Sequence, residues 1–261
     1  MKILEALIEN IGMDAPVKEV RRGLHWTAVI SRFCGLSSTM IRDSRCHEEQ
    51  DESMGSLTDK TALELARLCL STDISEASLG LAALNSLISI DMEKCVDMDG
   101  LELAFKIGEN KNVSVIGHFP FIERLGKAAK NLWVIEKHPG PGDYPEENSR
   151  DYLPRSDIVV ISGTTLINHT LPSILALCPE GSVKILLGPT TPMATVLFDY
   201  GIDVLAGSMV IDQKVLLKEI SEGANFRRLK KTGCVRYVTM VKDKEKIIAG
   251  QEETMPPPGE P

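Results

Sequence analysis

The sequence lacks most of the signals that identify a biochemical role at sight. It has no basic excess: 29 Lys and Arg stand against 37 Asp and Glu, a net charge of -8. Nucleic-acid binding relies on a Lys/Arg footprint over the phosphates, so a nucleic-acid partner is not expected. The one basic run, Arg227-Arg228-Leu229-Lys230-Lys231, reads as a solvated helix end. No pair of the six cysteines has C-x-x-C spacing, and several lie in apolar segments. That usage fits buried reduced thiols in a cytosolic protein better than a disulfide framework. No apolar run reaches the roughly 18 residues that span a bilayer, so no membrane partner is expected. The N-terminal Met1-Lys2-Ile3-Leu4-Glu5 reads as an amphipathic helix, not a signal peptide. There is no internal repeat, no Ser-His-Asp order, no H-E-x-x-H and no P-loop.

What is present is a change of pattern along the chain. Residues 2–12 place Ile3, Leu4, Leu7, Ile8 and Ile11 on one helical face. Residues 17–22 and 24–33 are β-rich runs pivoting at Gly23, a hairpin. Gly35-Leu36-Ser37-Ser38-Thr39 follows as a small polar loop or short strand. Residues 46–56 read as an exposed loop, and the cluster Cys46-His47-Glu48-Glu49 as solvated rather than ligating. Three helices are expected next: from Thr58 or Asp59 to about Leu70, from Ser75 to Ile90, and from Asp99 to Gly108. The first 108 residues thus form a smaller α+β unit.

From residue 109 to about 250, strands and helices alternate. Strands are expected at 113–117, 132–136, 157–162, 183–187 and 203–205, with helices at 121–130, 168–177, 192–200 and 212–222. Continuous apolar strands such as Ile158-Val159-Val160-Ile161 imply burial on both faces of a parallel sheet. This is an α/β unit with a Rossmann-like doubly wound parallel sheet. Residues 235–241 could add an edge strand, and the tail at 251–261, with Pro256-Pro257-Pro258, reads as disordered.

The chemistry gathers at the strand ends, where such a sheet builds its site. The first strand leads into Gly117-His118-Phe119-Pro120 rather than G-x-G-x-x-G, which argues against an ordinary dinucleotide site. Glu136 ends the second strand and reads either as a ribose-binding acid or as a surface carboxylate. His118, His138 and His169 each follow a successive strand, so all three are placed on one edge. Imidazoles there could ligate a metal or carry protons; alternatively each is a loop histidine. Asp143, in the Pro- and Gly-rich loop after the second strand, is a ligand, a base or a turn former. Ser162-Gly163-Thr164-Thr165, leading to Asn168, and Gly188-Pro189-Thr190-Thr191, leading to Pro192, are expected to aim two helix N-termini at an anion. Asn85 is a polar amide in an apolar helix and needs a partner. A cleft shared by both units would set Ser37, Ser38, Thr39 or Asn85 across a gap from the loops at 117–120, 162–168 and 188–192.

Taken together, Trp26-Thr27-Ala28-Val29, Gly35-Leu36-Ser37-Ser38-Thr39, Asn85, Gly117-His118-Phe119-Pro120, Gly142-Asp143-Tyr144-Pro145, Ser162-Gly163-Thr164-Thr165-Leu166-Ile167-Asn168 and Gly188-Pro189-Thr190-Thr191-Pro192 resemble the putative heavy-metal chelation family. The resemblance covers roughly residues 3–241. It implies an enolase-N-terminal-like first domain, a Rossmann-like second domain and a cleft between them that handles a metal or metal complex. The expected ligand is a divalent or heavy metal ion, or a metal-bearing or anionic small molecule. The alternative is an enzyme acting on a small anionic substrate with a nucleotide-derived cofactor. A homo-oligomer is left open.

Overall fold

The computed structural model describes residues 2–41 and 55–248. The Cys46-His47-Glu48-Glu49 cluster and the tail at 251–261 lie outside the described residues. The chain opens with the helix Lys2–Glu9, which buries Ile3, Leu4, Leu7 and Ile8. Three antiparallel strands follow: β1 (Glu19–Arg22), β2 (Trp26–Ile30) and β3 (Cys34–Ser38). The hairpin expected at Gly23 is formed, and the Gly35–Thr39 segment supplies the third strand.

The helix Ala62–Ala66 starts at a capping box in which Thr61 accepts from the Glu64 N–H. Thr58 and Asp59 lie instead in a short 3-10 turn, Leu57–Asp59. Helix Ile74–Asn85, capped by Asp73, buries every residue from Ala77 to Leu84. A helix apolar all round belongs inside a core, and this one packs on β2 and β3 on one side and on Ala62–Leu70 on the other. The helix ends at Asn85 rather than Ile90.

An eight-stranded sheet forms the body. Its strands are β4 (Cys95–Val96), β5 (Asn112–Ile116), β6 (Asn131–Glu136), β7 (Tyr144–Pro145), β8 (Ile158–Ser162), β9 (Val183–Leu187), β10 (Val204–Val210) and β11 (Val235–Val241), in the order β4-β11-β10-β9-β8-β5-β6-β7. All pairings from β7 across to β10 are parallel. The order reverses direction between β5 and β8, the doubly wound arrangement, whose crevice lies at the strands' carboxyl ends. β11 runs antiparallel to β10 and is itself covered in part by β4, so β11 is not the edge. Helix Gly100–Gly108, capped by Asp99, packs on β8, β10 and β11.

β10 is longer than its apolar run suggests. Its pairing with β9 stops at Ala206, while its pairing with β11 continues to Val210. Ala206, Gly207 and Ser208 are therefore strand residues, not a loop, because an antiparallel partner extends the ladder. One continuous core joins the first helix, helix Ile74–Asn85 and one face of the sheet. The opposite face is filled around Leu103, Val115, Val160 and Ile185.

Candidate functional site

The loops after β5, β6 and β8 surround a cavity of about 760 Å3. It lies at the point where the strand order reverses, and its size is that of a small-molecule site. Gly117 adopts φ +107°, and a Cβ there would stand 3.1 Å from the Ser162 side chain. A glycine is thus required to turn the loop after β5 back over the end of β8.

His118 follows. Its Nδ1 lies 3.0 Å from Asp143 Oδ2, and the Gly140 N–H donates to the same oxygen at 3.0 Å. The Asp143 side chain is 5% exposed and that of His118 57%. A buried carboxylate therefore holds an imidazole whose ring reaches solvent. The turn-rich loop after β6 gives Asp143 both roles at once, shaping its own turn and gripping a side chain from the neighbouring strand end.

Glu136 also lines the cavity, with both oxygens occupied. Oε1 accepts the His118 N–H at 2.6 Å, and Oε2 accepts the Lys137 N–H at 3.0 Å. The carboxylate ties the β5 and β6 loops together. His138, Ser162, Thr164, Thr165 and Asn168 line the same cavity.

His169 goes elsewhere. It takes the left-handed conformation, φ +59°, and its Nε2 lies 2.9 Å from the Cys69 carbonyl. It lines a separate small cavity with Ile3 and Leu4. The three histidines do not converge. Among the described residues, no three of His, Cys, Asp and Glu are grouped to hold a metal ion.

Neither helix starts where the sequence places it, and of the two only the one after β8 reaches the cavity, through Thr170 and Ser173. After β8 the chain makes a 3-10 turn, Gly163–Leu166, and helix Leu171–Leu177 starts only after Thr170. The Asn168 side chain accepts from the N–H and hydroxyl of Thr170, closing a turn rather than starting a helix. The Thr164 N–H donates to the Ser162 hydroxyl, so that amide is already satisfied.

After β9 no helix begins at Pro192; a 3-10 segment starts at Thr195. The reason is tertiary. Thr190 and Thr191 are buried, and Thr190 is tied to the N-terminal sheet. Its hydroxyl accepts the Ser38 N–H at 2.9 Å and lies 3.0 Å from the Ser38 hydroxyl, while its carbonyl accepts from Asn85 Nδ2 at 3.1 Å. Ser38 and Asn85 thus face the loop after β9 in direct contact. Ser37 bonds the Ser78 carbonyl, and Thr39 pairs with Thr27. From the N-terminal region, Met40 reaches the large cavity.

Sequence reasoning missed Lys137 and Arg150 in the cavity wall. Lys137 was visible as the neighbour of Glu136. Arg150 lies in a four-residue helix, Ser149–Tyr152, inside what reads as loop, and carries no periodic signal.

Residues 99–239 match a family model described as "Putative heavy-metal chelation", and residues 4–88 match a second model of the same description. The chain belongs to this heavy-metal chelation family. An uncharacterized protein from Methanocaldococcus jannaschii is 30% identical over 191 residues, 70% of this chain and 73% of that protein. A crystal structure of a protein of unknown function from the same family, from Desulfitobacterium hafniense, superposes with a TM-score of 0.79 at 27% identity. It covers 92% of this chain and 98% of its own. A family member of unknown function from Pyrococcus horikoshii, 19% identical, has the same fold, with a TM-score of 0.77 and coverage of 92% and 98%. In this member of the heavy-metal chelation family no helix among the described residues is long and apolar enough to cross a membrane.

Proposed function

We propose that this protein binds a metal ion carried by a small organic anion, in the cavity at the carboxyl ends of β5, β6 and β8. The observation that carries the reading is the His118–Asp143 pair. Metal-binding imidazoles characteristically give their second nitrogen to a carboxylate, which sets the tautomer and the ring orientation. Asp143 engages Nδ1, leaving Nε2 as the ligating atom. Lys137 and Arg150 line the cavity along with Glu136, Glu146 and Glu147, and the two cations would pair directly with the carboxylates of the carrier.

One well-held imidazole does not make a cage for a bare ion, which takes three or four protein ligands. The carrier's own donors would complete the coordination sphere, with His138 as the second protein ligand. Met40 would make the cavity a cleft between the N-terminal unit and the sheet. The alternative, an enzyme with a nucleotide-derived cofactor at Glu136, is the weaker reading, because the loop after β5 lacks the close glycines that let backbone approach a pyrophosphate.

Zinc suits imidazole combined with carboxylate, so zinc citrate is a suitable probe. Calorimetry on tag-free protein should show zinc citrate binding more tightly than zinc chloride or citrate alone. His118→Ala should lower that affinity by at least about tenfold, and His169→Ala should leave it unchanged. Equal affinity in wild type and His118→Ala would reject the function.

A further inference from the structure

Three of the large apolar side chains exposed among the described residues gather around one groove. Phe33, in the turn between β2 and β3, is 40% exposed, and Met92, in the 3-10 turn Met92–Lys94, is 51% exposed. Both line a groove of about 290 Å3 that shares no residue with the His118 cavity. Ile211, 54% exposed, follows Val210 of its wall. Ile88, Ile90 and Met209 continue that wall, with Ser89 and Gln213 among them. A lone exposed apolar residue needs no explanation, but a group of them around a groove marks an interaction surface. Polar residues mixed into an apolar patch are usual at such surfaces.

The charges beside the groove indicate what covers it. Arg32 precedes Phe33, Glu93 follows Met92, and both are exposed. Among the described residues neither has an opposite charge within ion-pair reach. The Arg32 guanidinium lies 5.3 Å from the Phe33 ring centroid. Glu93 is pinned by its main chain: its N–H donates to Asp91 at 3.1 Å, and its carbonyl accepts from Lys244 Nζ at 2.7 Å. Its carboxylate is thus presented from a fixed base. One part of the rim pairs a cation with an aromatic ring, and another pairs an anion with a thioether. These parts complement each other, in charge and because methionine packs well on aromatic rings. Arg32 and Glu93 do not meet within one chain, but a two-fold axis through the groove lets them meet between two. Both contacts then form at once, the self-complementary arrangement of a closed dimer.

We infer that this groove is the interface of a symmetric homodimer, in which Arg32 and Phe33 of one protomer lie against the partner's Glu93 and the partner's Met92. No residue of the His118 cavity takes part, so the dimer stands apart from the metal-binding reading.

Sedimentation velocity on full-length, tag-free protein over a concentration series tests this. A reversible dimer is expected. Phe33→Ser and Met92→Ser replace exposed side chains, so the fold should persist by circular dichroism while dimer affinity falls at least about tenfold in each. Arg32→Glu and Glu93→Arg should each weaken the dimer about three- to tenfold. The double variant, Arg32→Glu with Glu93→Arg, should recover most of the wild-type affinity, because the pair is restored with its signs exchanged. A wild type that stays monomeric up to about 0.1 mM overturns the inference and leaves the groove to a different protein. A dimer unweakened by Phe33→Ser and Met92→Ser, or a double charge variant no tighter than the single ones, overturns it as well.

Discussion

Asp143 Oδ2 stands 3.0 Å from His118 Nδ1, so a side chain 5% exposed orients one that is 57% exposed. The carboxylate comes from the loop after β6 and the imidazole from the loop after β5. Replacing Asp143 by Asn keeps the shape of the turn but removes the charge that orients the ring. The expected result is a zinc citrate affinity about 10–100-fold weaker by calorimetry. An unchanged affinity would mean that Asp143 serves the turn alone.

Thr190 is the bolt between the N-terminal sheet and the large one. Thr190→Val preserves shape and leaves the Ser38 N–H without its acceptor. Urea unfolding should show a loss of about 1–3 kcal/mol at unchanged slope. Thr190→Ser, which restores the hydroxyl, should recover most of it. Equal stability of the valine and serine variants would show that the contact carries no weight.

Two glycines allow backbones to meet in the N-terminal region. A Cβ at Gly35 would lie 2.1 Å from the Ala82 carbonyl oxygen, and one at Gly80 would lie 2.1 Å from the Cys69 nitrogen. The obstacles are main-chain atoms, which cannot swing aside. Gly35→Ala and Gly80→Ala should each cost about 3 kcal/mol or fail to fold. Gly12→Ala, with nothing within 4 Å, should stay within about 0.5 kcal/mol of wild type. Comparing the three melting curves tests whether close approach is what these positions require.

Arg228 donates to both oxygens of Glu219, at 2.8 and 2.9 Å. These bonds hold the Glu219 carboxyl below its usual range. The folded value is below the unfolded one, so the contribution is present above the unfolded value, near pH 4.3, and is lost as pH falls through the folded value. Arg228→Gln should therefore be less stable than wild type at about pH 7, with the gap narrowing towards about pH 3. A gap independent of pH would assign the effect to packing.

The sequence by itself determined the sheet and the edge on which chemistry gathers. Short β-branched apolar runs such as Ile158–Ile161, alternating with helical segments, read as strands buried on both faces, and parallel strands place the residues after them on one side. His118, Glu136, His138 and Ser162 therefore reached one cavity as their positions require. The first hairpin was legible from Gly23 between two β-rich runs, and the helix starts at Thr61 and Asp73 differ from the expected ones by two or three residues. Tertiary structure decided the rest, because period and spacing specify faces and say nothing of how a loop bends. His169 follows its strand as His118 does, yet one left-handed residue turns it to the Cys69 carbonyl. Pro192 carries an ordinary helix-start signal, but Ser38 and Asn85, more than a hundred residues away in sequence, hold Thr190 in the turn that the Thr191 N–H closes on the Gly188 carbonyl. Those bonds form only when the N-terminal sheet docks, so no local pattern could encode them.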